Sequence, residues 1–225
     1  MSGRFVLIAV VVLGASLPRE LAAQGTGSIT GVATTNVPAS RPVRVSFDQK
    51  VCGTELPDAS IQVNAAGRLA NVVVTLVGVK ARTPARVVPV INEKCAFVPR
   101  VQVVAPGGTV KTSSKDAVLH TTVVQTADGR QLFNVALPVP GLELTKALTG
   151  AGVMRVGCST HQWMRGWIIA TDELSAVSSA EGTFTLPDVP PGTYQLRIWH
   201  EALKATTQTV TVVPGKPTAV TLELK

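Results

Sequence analysis

The feature that most constrains the fold is a repeated pattern of short strands separated by proline and glycine turns. Residues 182–199 display it clearly, because two stretches of alternating apolar and polar residues flank the turn Pro190-Pro191-Gly192. Period-two alternation is typical of half-buried β-strands, and proline and glycine mark the turns between them. The apolar residues are mostly valine, alanine and leucine, and threonine is frequent. β-Branched residues favour strands, so the pattern predicts an all-β protein.

Further strands are predicted along the chain from the same signals. They cover residues 28–33, 43–47, 70–79, 86–91, 100–104, 120–126, 153–156, 166–170, 207–213 and 218–224. Asp128-Gly129 predicts a hairpin turn after the strand that begins at His120. A final hairpin is expected around Pro214-Gly215-Lys216. Residues 138–152 are expected to be coil, with a helical turn near residues 144–148.

The composition bounds the size and class of the protein. At 225 residues the chain suits one large or two small domains, and 45% hydrophobic with 16% charged residues excludes a disordered chain. The formal net charge is +7, but the basic residues are scattered and rarely interleaved with aromatic ones. We therefore expect no nucleic-acid binding. A diffuse positive surface could steer an acidic partner, although a solvated face is the simpler interpretation.

Residues 1–23 have the form of a secretory signal peptide. A basic start at Arg4 precedes the apolar run 5–17, and Leu21-Ala22-Ala23 offers a cleavage site before Gln24. An uncleaved anchor is the alternative, since Leu21 is unusual at its position. No later stretch is apolar enough to span a bilayer. The mature protein is therefore expected to be periplasmic or secreted, with no membrane span.

The three cysteines fit an exported protein with one unpaired thiol. In an oxidising compartment Cys52 and Cys95 can form a disulfide, which leaves Cys158 unpaired. Other pairings remain open from the sequence. Such a bridge would stabilise the fold by roughly 4 kcal/mol on the chain-entropy model. An odd thiol in a secreted protein needs an explanation, and metal ligation provides one.

The segment Cys158–Met164 brings three kinds of metal donor together directly after a strand. It contains the Cys158 thiol, the His161 imidazole and the Met164 thioether, which are donors that select copper in an electron-transfer site. Such a site needs a second histidine, and His120 opens a strand where its side chain could reach the same point. The alternative interpretation is a buried free cysteine beside an exposed histidine and a core methionine.

Several motifs resemble the cupredoxins, the plastocyanin-like blue copper fold. The chain is similar to exported bacterial plastocyanin-like proteins in which a Cys-x-x-His-x-Trp-Met segment precedes a Gly-x-Phe-x-Leu-Pro-x-x-Pro-Pro-Gly-x-Tyr stretch and a Trp-His-Glu. These elements stand here at Cys158–Met164, Gly182–Tyr194 and Trp199–Glu201. The resemblance covers residues 28–213. It implies a single type 1 copper ion and an electron-transfer partner protein.

The resemblance also implies the ligand roles. His120, Cys158 and His161 would be the trigonal ligands and Met164 the weak axial one. Plastocyanins usually space the histidine and the methionine more widely than here, which makes Met164 the least secure ligand. Thr121 stands where the family prefers asparagine, and this difference would alter the hydrogen bonds around the site.

Residues 178–213 also resemble the carboxypeptidase regulatory-like domain, a small transthyretin-like sandwich. The opening residues 29–32 resemble its first strand. We therefore predict a Greek-key cupredoxin-like β-sandwich that is followed by, or inserted in, a small transthyretin-like β-sandwich. The expected division is a signal peptide at 1–23, a copper-binding domain at 24–172 and a regulatory-like segment at 173–225.

The function predicted from these features is electron transfer by an exported copper protein. The chain has only three histidines, too few for a second copper centre, and it lacks the nucleophile and metalloprotease motifs of hydrolases, so we expect no enzyme. Copper delivery or storage is one alternative, and a structural or interaction sandwich with a vestigial site is another. His200 remains open between a metal-site role and a structural one. Trp163 and Trp167 are expected to pack in the core, with shielding of the site or a contact surface as the alternatives.

Overall fold

The computed structural model describes residues 25–82 and 84–225. The predicted signal peptide, residues 1–23, therefore lies outside the described residues. Within the described ranges, no helix combines the length and the apolar character that a membrane crossing requires.

The described residues form eighteen strands, one short α-helix and one 3-10 turn. The strands are β1 (Gly27–Thr35), β2 (Val43–Arg44), β3 (Glu55–Leu56), β4 (Val73–Lys80), β5 (Val87–Glu93), β6 (Ala96–Val98), β7 (Val101–Val104), β8 (Thr109–Ser114), β9 (His120–Thr126), β10 (Gln131–Leu137), β11 (Glu143–Ala147), β12 (Gly152–Gly157), β13 (Arg165–Ala170), β14 (Glu173–Val177), β15 (Thr183–Val189), β16 (Gly192–Trp199), β17 (Thr206–Val212) and β18 (Pro217–Leu224). The helix α1 spans Gln49–Cys52 and the 3-10 turn spans Ala59–Ile61. The predicted all-β class is confirmed.

Two β-sandwiches account for all but two of the strands. The first sandwich, which we call the N-sandwich, packs the sheet β10-β9-β12-β13-β7 against the sheet β11-β8-β5-β6. The second, the C-sandwich, packs the sheet β14-β4-β16-β17 against the sheet β15-β1-β18. Strands β2 and β3 pair only with each other. Each sandwich has its own apolar core, as expected for sheets that bury one face each.

The N-sandwich is inserted into the C-sandwich. Strand β1 pairs with β15 and, in parallel, with β18, whereas β4 lies between β14 and β16. All strands of the N-sandwich, β5 to β13, fall between β4 and β14 in sequence. The expected boundary between residues 172 and 173 lies in the connection from β13 to β14. Because β1 and β4 precede that boundary and belong to the C-sandwich, the sheets do not divide the chain linearly.

The two sandwiches share a small apolar interface. The outward face of β4 contributes Val73, which packs with Val101 and Ile169 of the N-sandwich. The Trp167 and Trp199 rings meet edge to face across this interface, 5.6 Å apart. A partly buried ion pair between Arg100 and Glu201, 2.5 Å apart, joins the same two units.

Local patterns were misleading in three places. The predicted final hairpin is wrong, because β17 pairs with β16 while β18 lies beside β1 in the opposite sheet. The predicted helical turn near residues 144–148 is also wrong, since β11 pairs antiparallel with β8 there. No strand was predicted between residues 170 and 182, yet β14 lies there and pairs with β4. In each case pairing with a strand distant in sequence decided the conformation. The hairpin predicted at Asp128-Gly129 is confirmed between β9 and β10.

Candidate metal centre

The strand ends of one sheet bring the predicted donors together. Strand β9 begins at His120 and β12 ends at Gly157, directly before Cys158. These strands are antiparallel neighbours, so the start of one lies beside the end of the other. The connection from β12 to β13 then carries His161 and Met164. All four predicted ligand residues are buried.

Three donor atoms converge inside the N-sandwich. The Nδ1 atoms of His120 and His161 lie 3.0 Å apart, and the Cys158 Sγ lies 3.8 Å from the His161 Nδ1. The ligand atoms of all three residues lie within 4.8 Å of one another. Both histidine side chains are fully buried. The structure therefore places one thiol and two imidazole nitrogens around a common point.

Carboxylates hold the outer nitrogens of both rings. The His120 Nε2 lies 3.0 Å from Asp116 Oδ2, and the His161 Nε2 lies 3.0 Å from Asp48 Oδ2. A ring that donates its Nε2 proton to a carboxylate presents an unprotonated Nδ1 on its other side. The two aspartates thus direct the Nδ1 lone pairs toward the Cys158 sulfur.

Backbone and hydroxyl donors surround the Cys158 sulfur. The Thr121 amide donates to Sγ at 3.3 Å and the His161 amide at 3.4 Å. The Thr121 hydroxyl lies 3.7 Å from Sγ and accepts a hydrogen bond from the Ser159 amide at 2.7 Å. Donors of this kind stabilise a thiolate, which is the metal-binding form of cysteine.

The electrostatics of the cluster favour a thiolate beside imidazoles. Burial raises the pKa of Cys158, but the neighbouring His120 side chain and the amides of Thr121 and His161 outweigh it and lower the pKa to about 6. Burial lowers the pKa of His120, and the neighbouring Cys158 and Asp116 outweigh that effect and raise it above its ordinary value. A site that stabilises a thiolate near neutral pH is prepared for a soft cation.

Met164 lies in the same connection but its role stays a prediction. Its side chain is buried in the core of the N-sandwich, and its amide donates to the His161 carbonyl at 3.0 Å. Met164 and Cys158 line the same cavity, whose volume is about 330 Å³. Arg155 and Arg165 also line it. No described carboxylate lines this opening onto the sulfur.

His200 lies outside the donor cluster. Its Nδ1 accepts a hydrogen bond from the Ala202 amide at 3.3 Å, just after β16 ends. Its Nε2 is buried and has no partner among the described residues. Glu201 pairs with Arg100 and does not orient the ring. Burial lowers the pKa of His200, Arg100 lowers it further, and Glu201 opposes them. This geometry corresponds to the interpretation of His200 as a structural histidine and not as a metal ligand.

The two tryptophans that flank the connection have different surroundings. The Trp163 ring packs on His161 with centroids 4.9 Å apart, and its Nε1 donates to the Cys95 carbonyl at 3.2 Å. Trp163 therefore shields one side of the cluster. Trp167 packs on Trp199 at the interface between the sandwiches.

The predicted disulfide between Cys52 and Cys95 is confirmed, and Cys158 is free. The bridge lies beside the centre, because Asp116 accepts a hydrogen bond from the Cys95 amide at 2.8 Å. Sequence reasoning missed Asp48 and Asp116. Asp116 ends a polar segment just before His120, which was a usable signal, whereas Asp48 is 113 residues from His161.

The chain is thus an all-β protein of two sandwiches with a buried sulfur–nitrogen donor cluster in the first. Residues 168–225 match the family model of the carboxypeptidase regulatory-like domain, which confirms the predicted C-terminal resemblance. That match includes β14 to β18 but not β1 and β4, which complete the same sandwich. No curated protein matches the chain.

The solved structures that the chain resembles include cupredoxins. A purple cupredoxin from Nitrosopumilus maritimus is 22% identical, with 37% of this chain and 98% of that chain covered and a TM-score of 0.33. The amicyanin of Paracoccus versutus is 20% identical, with 43% of this chain and 96% of that chain covered and a TM-score of 0.33.

The donor set itself fits copper. One thiolate, two neutral imidazole nitrogens and a nearby thioether are the combination that copper favours in electron-transfer sites. The carboxylates behind both rings match the usual arrangement around metal-bound histidines. The residues that would hold the ion are therefore His120, Cys158 and His161, with Met164 close by in the same connection.

Proposed function

We propose that the protein binds one copper ion at His120, Cys158 and His161 and transfers single electrons. The observation that carries this proposal is the convergence of two Nδ1 atoms and one Sγ within 4.8 Å in a buried site. Met164 is proposed as the weak fourth donor, because it is buried beside Cys158. The site would then be of type 1.

The surrounding residues suit electron transfer. A bound copper ion would supply one-electron chemistry by alternating between two oxidation states. Asp116 and Asp48 hold the two rings in place, and Thr121 holds the sulfur. Close packing around fully buried side chains resists rearrangement, which keeps the reorganisation on oxidation small.

Burial also weighs against a delivery role. A copper carrier that passes its ion to another protein needs ligands that the recipient can approach. Here both histidine side chains are fully buried, and Cys158 is only 8% exposed. We therefore favour electron transfer over delivery or storage, and propose that the protein is not an enzyme.

The partner is proposed to be a redox protein with an acidic surface. The cavity beside Cys158 and Met164 is lined by Arg155 and Arg165, both exposed. Guanidinium groups at this opening would attract an acidic surface and bring it near the sulfur. The route for the electron would then pass through the Cys158 side of the site.

The protein is proposed to act outside the cytoplasm, in the periplasm or as a secreted protein. The disulfide between Cys52 and Cys95 is buried and intact in the structure. Disulfides of this kind persist in oxidising compartments. The predicted signal peptide at residues 1–23 would provide the export route.

The test is the visible absorption spectrum of the copper-loaded protein, followed by cyclic voltammetry. We expect an intense copper–thiolate band that Cys158→Ser removes, and a reversible one-electron wave. Ser159→Ala, one residue further along the same connection, is the matched control and should retain both. Circular dichroism would establish that the variants fold.

Other outcomes would support other functions. Copper binding with no intense band, unchanged in Cys158→Ser, would contradict the proposal and indicate a delivery or storage site. No copper uptake by the folded wild type would indicate a vestigial site in a structural or interaction protein.

A further inference from the structure

The disulfide is physically connected to both histidine rings of the candidate centre. On one side, the Asp116 carboxylate accepts the Cys95 amide at 2.8 Å through Oδ2 and the Lys94 amide at 2.8 Å through Oδ1. The same Oδ2 lies 3.0 Å from the His120 Nε2. The backbone of Cys95 thus fixes the carboxylate that orients His120.

On the other side, the disulfide leads to His161 through the helix α1. The Cys52 amide donates to the Asp48 carbonyl at 2.8 Å, which spans the one turn of α1. The Asp48 Oδ2 lies 3.0 Å from the His161 Nε2. Cys95 therefore binds the Asp116 carboxylate directly, whereas Cys52 fixes the backbone of the residue that carries the Asp48 carboxylate.

The Asp48 side chain contacts His161 and does not cap its own helix. Asp48 occupies the N-cap of α1, where an aspartate ordinarily accepts a hydrogen bond from the first turn. Its side chain makes no such bond, and its backbone lies in the left-handed region with φ 53°. The carboxylate faces His161 and leaves the helix uncapped.

We propose that Asp48 and Asp116 are positioning residues for the His161 and His120 rings, and that the Cys52–Cys95 disulfide holds these two carboxylates in register. This inference rests on the proposed copper site and deepens it. The contacts form a closed circuit: Asp116, Cys95, Cys52, Asp48 and the two rings, whose Nδ1 atoms meet at 3.0 Å.

These contacts oppose rotation and tautomer exchange of the two histidine rings. With both Nε2 atoms protonated, the two Nδ1 atoms are acceptors 3.0 Å apart and repel each other in the metal-free protein, so the rings tend to rotate or exchange tautomers. Carboxylates that accept both Nε2 protons oppose this exchange. The disulfide, buried with Cys52 at 5% and Cys95 at 0% exposure, prevents the two carboxylates from separating.

The first test examines the metal-free protein and needs no copper. We would record nitrogen-15 NMR spectra of the histidine rings in the wild type, Asp48→Ala, Asp48→Asn and Cys52→Ala/Cys95→Ala. The wild type should show the Nε2-protonated tautomer for His120 and His161. Asp48→Ala should lose this preference at His161, while Asp48→Asn, which keeps an oxygen acceptor, should restore it.

The second test measures copper affinity by competition with a chelator, together with the energy of the copper–thiolate band. Loss of an outer partner of a metal-bound histidine typically weakens binding by roughly 10–100-fold. We expect this loss and a shifted band in Asp48→Ala and in the double cysteine variant. Asp172→Asn, which alters a surface pair with Lys80, is the control and should change neither.

The outcomes separate this inference from the proposed function. If the wild type shows no copper–thiolate band but the tautomers depend on Asp48 as described, the proposed function fails and the positioning inference stands. If folded Asp48→Ala and the double cysteine variant keep wild-type tautomers and copper affinity, the positioning inference is overturned. Asp48→Ala retains the disulfide, so it decides the positioning role of Asp48 even if the double variant does not fold.

Discussion

The Nδ1 atoms of His120 and His161 lie 3.0 Å apart, although 41 residues separate them in the sequence. Both rings have their Nε2 atoms occupied by carboxylates, so the facing nitrogens are left as acceptors. Two acceptors at this distance need a shared proton or a cation between them. With the Cys158 sulfur beside them, a soft cation satisfies all three atoms at once.

Thr121→Val is expected to lower the reduction potential of the copper-loaded protein. The variant keeps the hydrogen bond from the backbone amide of residue 121 to Sγ. It loses the hydroxyl, which lies 3.7 Å from Sγ and accepts a hydrogen bond from the Ser159 amide. Weaker donation to the sulfur leaves it a stronger electron donor, which favours the oxidised ion. We also expect a loss of about 1 kcal/mol in the free energy of unfolding.

Voltammetry and urea unfolding measure the two effects of Thr121→Val. Thr193→Val is the control, because its hydroxyl pairs with Thr211 on the exposed surface of the C-sandwich. That variant should leave the potential unchanged. Equal potentials for Thr121→Val and the wild type would contradict a role for the hydroxyl at the sulfur.

Met164→Leu tests the fourth donor. If the thioether binds copper, its loss should raise the reduction potential, because a missing donor destabilises the more highly charged ion. Met154→Leu is a matched control, since Met154 is buried in the same core. Each change should cost less than about 1.5 kcal/mol of stability. Indistinguishable potentials in the two variants would remove Met164 from the ligand set.

The double variant Arg155→Glu/Arg165→Glu tests the proposed docking face. We expect oxidation of the reduced protein by anionic hexacyanoferrate(III) to slow by roughly tenfold or more at low ionic strength. Oxidation by cationic tris(phenanthroline)cobalt(III) should accelerate, and added salt should reduce both effects. Stopped-flow absorption at the copper–thiolate band measures these rates.

The control for the docking face carries the same charge change elsewhere. Lys204→Glu/Lys216→Glu alters two exposed residues of the C-sandwich. If this control changes the rates as much as the arginine variant does, the net charge and not the opening at Cys158 determines the exchange.

His200→Gln should reduce the sensitivity of the metal-free protein to mild acid. The pKa of His200 is lowered in the folded state, chiefly by burial, so below its ordinary value the unfolded chain binds a proton that the folded protein does not. Wild-type stability therefore falls as the pH decreases through about 6.5. The glutamine variant lacks this contribution.

Urea unfolding at about pH 7.5 and about pH 5 measures the difference between the two proteins. His120 has a raised pKa and contributes stability that is lost as the pH rises through it. This opposite contribution is common to both proteins and cancels in the comparison. Parallel pH profiles would show that His200 titrates as it does in the unfolded chain.

Local sequence patterns predicted what is decided locally. The strand His120–Thr126 has the predicted limits, and the predicted donor residues lie together because β9 and β12 are neighbours. Period-two alternation and the Asp128-Gly129 turn were sufficient to predict β9 and the hairpin that follows it, but not the pairing of β9 with β12. The cysteine count was also informative, because three cysteines in an exported chain predict one disulfide and one unpaired thiol, although the pairing itself was open from the sequence.

Contacts between distant segments were beyond such patterns. Asp48 reaches His161 only because α1, the disulfide and the N-sandwich fold around one another. The turn at Pro214-Gly215-Lys216 has the composition of a hairpin, yet β1 lies beside β18 and sends the chain into the other sheet. The topology was left open between a following and an inserted domain, and the strand order corresponds to insertion.

The parallel pairing of β1 with β18 has a consequence for folding kinetics. The Thr35 hydroxyl donates to the Leu224 carbonyl at 2.8 Å across 189 residues. During synthesis β1 emerges before either of its sheet neighbours, β15 and β18. It remains unpaired in that sheet while the whole N-sandwich is made. Such non-local pairing slows folding and leaves a strand edge open to other chains. Closure of the C-sandwich is therefore the step at which newly made molecules are most exposed to aggregation.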